Sequence, residues 1–268
     1  MRHWHIVTSL FILSLNAGAG EITELGFQTS DGVQIATNWY HDPALPQSTV
    51  IIFSPGLSQY KDSSMMVKLS TALTVLGEVV NLDFRGTGKS SGSFTFGAKE
   101  QLDIEPILQW ANGRFKKIVL LGVSLGGYTT LRAAAEWPAL VDQVLVASPP
   151  TSADADFWQG DVMIAGINNW LHPDPLALQD HGNPFFHWGF PLGGKPDARD
   201  FAGEVQAPTS FLVGSADLMV PMAMSRKIYK NVKAPKSWLV MQGGLHAEEM
   251  YLQNPDLFMK WMNDGLNR

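Results

Sequence analysis

Three residues far apart in the chain, Ser124, Asp217 and His246, each follow a short apolar run and sit among turn residues. A serine hydroxyl is a poor nucleophile at neutral pH. It needs a base within hydrogen-bond reach, and the base needs an acid that orients it. Histidine and aspartate are the usual pair, and the chain order serine, acid, histidine is one that strand–helix folds use for this chemistry. Of the seven histidines, only His246 stands at the end of an expected parallel strand. Asp217 lies in the turn Ser215-Ala216-Asp217-Leu218 after the strand before it.

The serine has its own local signature. Ile118-Val119-Leu120-Leu121 reads as a buried strand, Gly122-Val123-Ser124-Leu125-Gly126 as a sharp bend, and Leu131-Arg132-Ala133-Ala134-Ala135-Glu136 as a helix. Cβ atoms at positions 122 and 126 would collide with the neighbouring strand and helix, so both are glycine. A second Gly-x-Ser-x-Gly string, Gly88-Lys89-Ser90-Ser91-Gly92, is followed by more turn residues and no helix. The elbow is therefore assigned to Ser124 and not to Ser90. Nor is Gly86-Thr87-Gly88-Lys89-Ser90 a phosphate loop, because Asp83 stands where that pattern needs its first glycine.

An acyl-transfer intermediate also needs two N–H donors for its oxyanion. Leu125, directly after the serine, supplies one. The other is expected from the loop after the third strand, where Gly56 permits a turn and Leu57 N–H is the candidate.

These residues need a scaffold. Alternation over residues 21–29 and 33–40 around Ser30-Asp31-Gly32 predicts a hairpin. Continuous apolar runs predict buried strands at 49–53, 78–84, 118–121, 143–147, 209–213 and 237–241. Helices are expected at 63–76, with Met66, Leu69, Leu73 and Leu76 on one face, and at 98–112, with Leu102, Ile107, Leu108 and Trp110 packing. Further helices are expected after the bend, at 222–230 and, as a single element, at 247–263. This rhythm calls for an α/β fold: a mostly parallel eight-stranded sheet with helices on both faces. It breaks over residues 151–207, a stretch rich in tryptophan, phenylalanine and proline and too long for a plain loop.

With 268 residues, 45% of them hydrophobic, one domain with a substantial core is expected. A net charge of −6 without basic runs gives no nucleic-acid footprint. The absence of cysteine excludes disulfides and a thiolate nucleophile. No cofactor and no metal are expected. His172, Asp174, His181 and His187 could ligate a metal by type, but their spacing fixes no geometry, and they read as polar groups on the insertion. At the N-terminus, Arg2, His3 and His5 precede an apolar segment over 6–15 and a small-x-small site at Ala17 to Ala19. This is the pattern of a signal peptide, too short to span a bilayer permanently, with cleavage after Ala19 and a periplasmic or secreted product.

Taken together, the Ser124 elbow, the Asp217 and His246 turns and Gly214-Ser215-Ala216-Asp217-x-x-Val220-Pro221 resemble the α/β-hydrolase superfamily over essentially all of residues 20–268. The likeness is to its monoacylglycerol-lipase-like, acyl-peptidase-like and small carboxylesterase branch. That resemblance implies a core of residues 20–150 and 208–268, with a cap at 151–207 between strands six and seven. It also implies structural roles for Asp83 and Arg85, and a serine rather than the aspartate nucleophile of dehalogenase-like and epoxide-hydrolase-like members. One departure is Ser54-Pro55 before Gly56, where many relatives have His-Gly.

The expected activity is hydrolysis of a small-molecule carboxylic ester with an apolar acyl or aryl group. A peptidase or amidase on the same residues is the alternative, with Asp154, Asp156 and Asp161 as possible ammonium partners. A non-catalytic binding protein on the same fold is a second. Expression of the full chain in a secreting host should yield a product starting at Gly20 by intact mass; a mass that retains residues 1–19 rejects the cleavage.

Overall fold

The structure is a computed structural model that describes residues 20–44, 46–57, 59–151 and 195–268. Residues 1–19, which carry the expected leader, lie outside the described residues. Strands Glu21–Gln28 (β1) and Gln34–His41 (β2) form the expected hairpin, with Gln28 opposite Gln34. Gly32 makes its turn possible by adopting φ 89°, and the Thr29 N–H bonds the Val33 carbonyl at 2.9 Å.

Six further strands follow: Thr49–Ser54 (β3), Glu78–Leu82 (β4), Lys117–Val123 (β5), Gln143–Ala147 (β6), Thr209–Gly214 (β7) and Lys236–Met241 (β8). They complete one eight-stranded sheet in the order β1-β2-β4-β3-β5-β6-β7-β8. Only β2 runs antiparallel to its neighbours. β4, β6 and β7 are buried along their whole length and β5 from Ile118 onward, which is why their sequences are apolar runs rather than alternations.

The helices lie in two layers. The chain steps outward from β3 to β4 through Ser64–Leu73 (α1), then returns past β3 to β5 through Gln101–Ala111 (α2). Right-handed crossovers in opposite directions put these two helices on opposite faces. Ile104, Ile107 and Leu108 of α2 accordingly pack with Leu131 of Leu125–Glu136 (α3) and Ile228 of a helix at Met222–Asn231. Met66, Leu69 and Leu73 of α1 pack instead with Phe258, Trp261 and Met262 near the C-terminus.

Two expectations change. The single helix expected at 247–263 is two, Glu249–Gln253 and Pro255–Leu266. Pro255 has no N–H to continue the first, and Asn254 leaves helical geometry at φ −150° and caps the second by accepting the Leu257 N–H at 3.1 Å. In α2, Ile104 rather than Leu102 is fully buried.

Between β6 and β7, residues 152–194 lie outside the described residues, and with them the aromatic stretch, His172, Asp174, His181 and His187. From residue 195 the chain is packed against the sheet layer. Helix Ala198–Phe201 is α4, Met222–Asn231 is α5, and Glu249–Gln253 and Pro255–Leu266 are α6 and α7. Ala198, Ala202, Val205 and Ala207 are buried with α3, and the Tyr128 hydroxyl donates to the Pro196 carbonyl at 2.7 Å.

A buried ionic cluster pins the loop after β4. Arg85 donates through Nε to Asp103 at 2.7 Å and through Nη1 to Asp31 at 2.8 Å. Asp83 accepts the Lys61 N–H at 2.6 Å and the Lys89 N–H at 2.8 Å. Ser90 is part of this scaffold: its hydroxyl donates to the Asp83 carbonyl at 2.7 Å and accepts from the Ala36 N–H at 2.9 Å. Asp103 is fully buried, whereas Asp31 is partly exposed. Asp103→Ala should therefore cost roughly 3–5 kcal/mol by leaving a buried guanidinium half-paired, and Asp31→Ala distinctly less. Urea unfolding of both variants checks this, and equal losses would refute the ranking.

Candidate active site

The bend at Ser124 is strained as its sequence demands. Ser124 has φ 52° and ψ −123°, a conformation costly for a residue with a side chain. Tight backbone contacts hold it there. A Cβ on Gly122 would come within 2.4 Å of the Gly126 carbonyl oxygen, and one on Gly126 within 2.2 Å of the Ser54 carbonyl oxygen. The Ser124 N–H bonds the Ala147 carbonyl of β6 at 2.9 Å, so the bend is tied to the next strand as well. Ser124 is left partly exposed at the N-terminus of α3, and the Leu125 N–H, first in the helix, has no intrahelical partner.

β3 and β5 are adjacent, with Ser54 opposite Gly122, so the loop leaving β3 runs past Ser124. A Cβ on Gly56 would lie 3.4 Å from Ser124 Cβ. The Gly56 carbonyl accepts the Gln59 N–H at 3.2 Å, closing a turn around Leu57. The Leu57 N–H makes no hydrogen bond among the described residues.

The loops after β7 and β8 are stitched to each other. Ser215 N–H bonds the Met241 carbonyl at 3.0 Å, Ala216 N–H the Gly244 carbonyl at 2.9 Å, and Gly243 N–H the Ser215 hydroxyl at 2.8 Å. A Cβ on Gly214 would meet the Gly244 carbonyl oxygen at 2.2 Å, so this approach needs glycine. The stitching sets His246 Nδ1 2.8 Å from Asp217 Oδ2, both side chains buried. The other Asp217 oxygen accepts the Met219 and Val220 N–H groups at 3.0 and 2.8 Å, which fixes the carboxylate.

Burial disfavours a charged His246, but the Asp217 hydrogen bond and charge, with Glu248 and Glu249 nearby, outweigh it and raise its pKa above the ordinary imidazole value. His246 Nε2 is buried and has no hydrogen-bond partner among the described residues. The structure thus joins His246 to Asp217 and places Leu57 on the loop after β3 and Leu125 at the start of α3, next to Ser124. It does not form a bond from Ser124 Oγ to His246.

The sequence reading missed Glu248. Its Oε1 accepts the Gln59 side-chain amide at 3.2 Å, and its Oε2 lies 3.9 Å from where a Gly56 Cβ would be. No periodicity or motif marks it, because the contact spans 189 residues of chain. Among the described residues no group of three or more His, Asp or Glu side chains is arranged to hold a metal.

The profile of the Alpha/beta hydrolase family matches residues 51–261. The chain is 26% identical over 239 residues to the human serine hydrolase BPHL, a match covering 81% of this chain and 78% of that protein. Among solved structures it is similar to the Pyrococcus furiosus esterase Pf2001, with TM-score 0.72, 21% identity and 93% of each chain covered. Acetyl xylan esterase 1 from Thermoanaerobacterium sp. JW/SL YS485 is another, with TM-score 0.70, 19% identity and coverage of 97% of this chain and 88% of that one.

A proton titration of the His246 ring by NMR, assigned with His246→Gln, should give a midpoint above the ordinary imidazole range, and Asp217→Asn should move it down. An unmoved midpoint would mean that Asp217 does not govern the ring.

Proposed function

The chain belongs to the alpha/beta hydrolase family, and from that premise we propose that it is a serine hydrolase acting on small-molecule carboxylic esters. The observation that carries the reading is the 2.8 Å bond between His246 Nδ1 and Asp217, built at the ends of two adjacent parallel strands, on the same sheet edge as the strained Ser124.

In this reading Ser124 Oγ attacks the ester carbonyl carbon while His246 Nε2 removes its proton. Asp217 holds the Nδ1–H tautomer and offsets the imidazolium charge. Negative charge that develops on the carbonyl oxygen is met by the Leu57 and Leu125 N–H groups. The C–O bond to the alcohol then breaks, and His246 returns the proton to the leaving oxygen. Water, deprotonated by His246, attacks the acyl-enzyme and releases the acid and free Ser124. The Ser124 to His246 link is formed on substrate binding, as catalytic hydrogen bonds in unliganded sites commonly tighten then.

Two observations favour an apolar acyl or aryl group. Leu218 and Leu245, neighbours in the chain of Asp217 and His246, are exposed, and the insertion at 151–207 is rich in aromatic residues. The names of the relatives, a serine hydrolase and esterases, agree with ester cleavage. Export after removal of residues 1–19 belongs to the same proposal.

A fluorophosphonate probe should label the protein once, at Ser124. Labelling and hydrolysis of short p-nitrophenyl esters should vanish in Ser124→Ala, with loss of at least about 10³-fold in kcat, and labelling should persist in Ser90→Ala. A folded wild-type protein that neither labels nor cleaves these esters overturns the proposal.

A further inference from the structure

Glu248 is the polar group at this site that the proposed mechanism leaves unused. It sits in the turn between His246 and α6, and its two carboxyl oxygens face different neighbours. Oε1 accepts the Gln59 Nε2–H at 3.2 Å. Gln59 is held in that orientation because its own carbonyl oxygen is occupied by the Ser63 hydroxyl at 3.0 Å, which leaves the NH₂ end for Glu248. The Gln59 backbone N–H closes the turn onto the Gly56 carbonyl, with Leu57 inside that turn. A chain of hydrogen bonds therefore runs from the start of α1 through Gln59 to the loop that carries His246.

The second oxygen has no such partner. Oε2 is buried and unpaired among the described residues. It lies 3.9 Å from the position of a Gly56 Cβ, and Ser124 Cβ lies 3.4 Å from the same point. The Val123 carbonyl oxygen lies 3.7 Å from that point, so the space a Gly56 side chain would fill is bordered by the serine, this carbonyl and the carboxyl.

We propose that Glu248 is a positioning residue of the reaction, joining the turn that presents Leu57 N–H to the loop that presents His246, so that the oxyanion donor and the base are held in one geometry. This rests on the serine-hydrolase reading and deepens it. Its surroundings favour the neutral carboxyl over the carboxylate. The titratable groups that face it are His246, Glu249 and Asp217; burial is the largest influence and raises its pKa, the two acids add to that, and His246 opposes it. An ionised carboxylate at this place would set negative charge beside the serine at the moment the carbonyl oxygen becomes an oxyanion, and would slow the step.

The test uses the full chain, with p-nitrophenyl butyrate and a fluorophosphonate as probes. Glu248→Ala and Gln59→Ala should each lower kcat by about 10–100-fold, with KM changed far less. The double variant should fall little further than either single one, because both cut the same link. Glu248→Gln, which keeps an acceptor for Gln59 and cannot ionise, should recover most of the kcat lost in Glu248→Ala. The acid limb of its pH profile should remain that of the wild type, because His246 is untouched. Thermal unfolding of each variant identifies loss of fold, and the Gln variant carries the test if Ala does not fold. Wild-type kcat in both Ala variants, multiplicative losses in the double variant, or no recovery of kcat in a folded Glu248→Gln each overturn the role of Glu248. Absence of fluorophosphonate labelling in the wild type instead rejects the serine-hydrolase reading itself.

Discussion

The backbone at Ser124 is held where a residue with a side chain does not go freely, at φ 52°. That strain has to be supported from outside the bend. Here it comes from packing: carbonyl oxygens of residues 54 and 55 lie against the face of Gly126 where a Cβ would be, and the Gly126 carbonyl lies against Gly122. The bend can exist only where β3, β5 and α3 come this close. The same approach brings the loop after β3 beside the serine, so one steric constraint builds both the partly exposed Ser124 and the neighbourhood of the proposed oxyanion donors.

Sheet topology supplies the rest of the site. Parallel strands all end on one edge, so loops that follow β3, β5, β7 and β8 gather there although their residues lie far apart in the chain. Gathering alone does not set distances of hydrogen-bond length. That is done by the stitching of Ser215 and Ala216 to Met241 and Gly244, and by the two backbone N–H groups that fix the Asp217 carboxylate. A buried ionic cluster around Arg85 and Asp83 performs the corresponding work for the loop after β3, where Lys61 N–H is bound by Asp83. Serine at position 90 belongs to that scaffold, where its hydroxyl bonds the Asp83 carbonyl and the Ala36 N–H.

Much of this was legible in the sequence, because it is written in local patterns. Buried parallel strands leave continuous apolar runs, the hairpin leaves Ser30-Asp31-Gly32, and the bend leaves its two glycines. The misreadings are local too. The helix expected at 247–263 breaks at Asn254, a stop that Asn-Pro signals and that the apolar period alone hides. Ile104 replaces Leu102 on the buried face of α2, because the helix starts at Gln101 and the face is set by contact with the sheet.

By itself, then, the sequence determined the fold class, the strand that carries Ser124, and which aspartate and which histidine stand at strand ends. These follow from periodicity and turn chemistry, which act over a few residues. Tertiary structure alone decided that Asp217 and His246 meet at 2.8 Å and that Glu248 lies across Gly56 from the serine. Those relations depend on the placement of one loop against another across 29 to 189 residues of chain. No local pattern encodes them, because the strands fix only where the loops begin, and packing fixes where their side chains end.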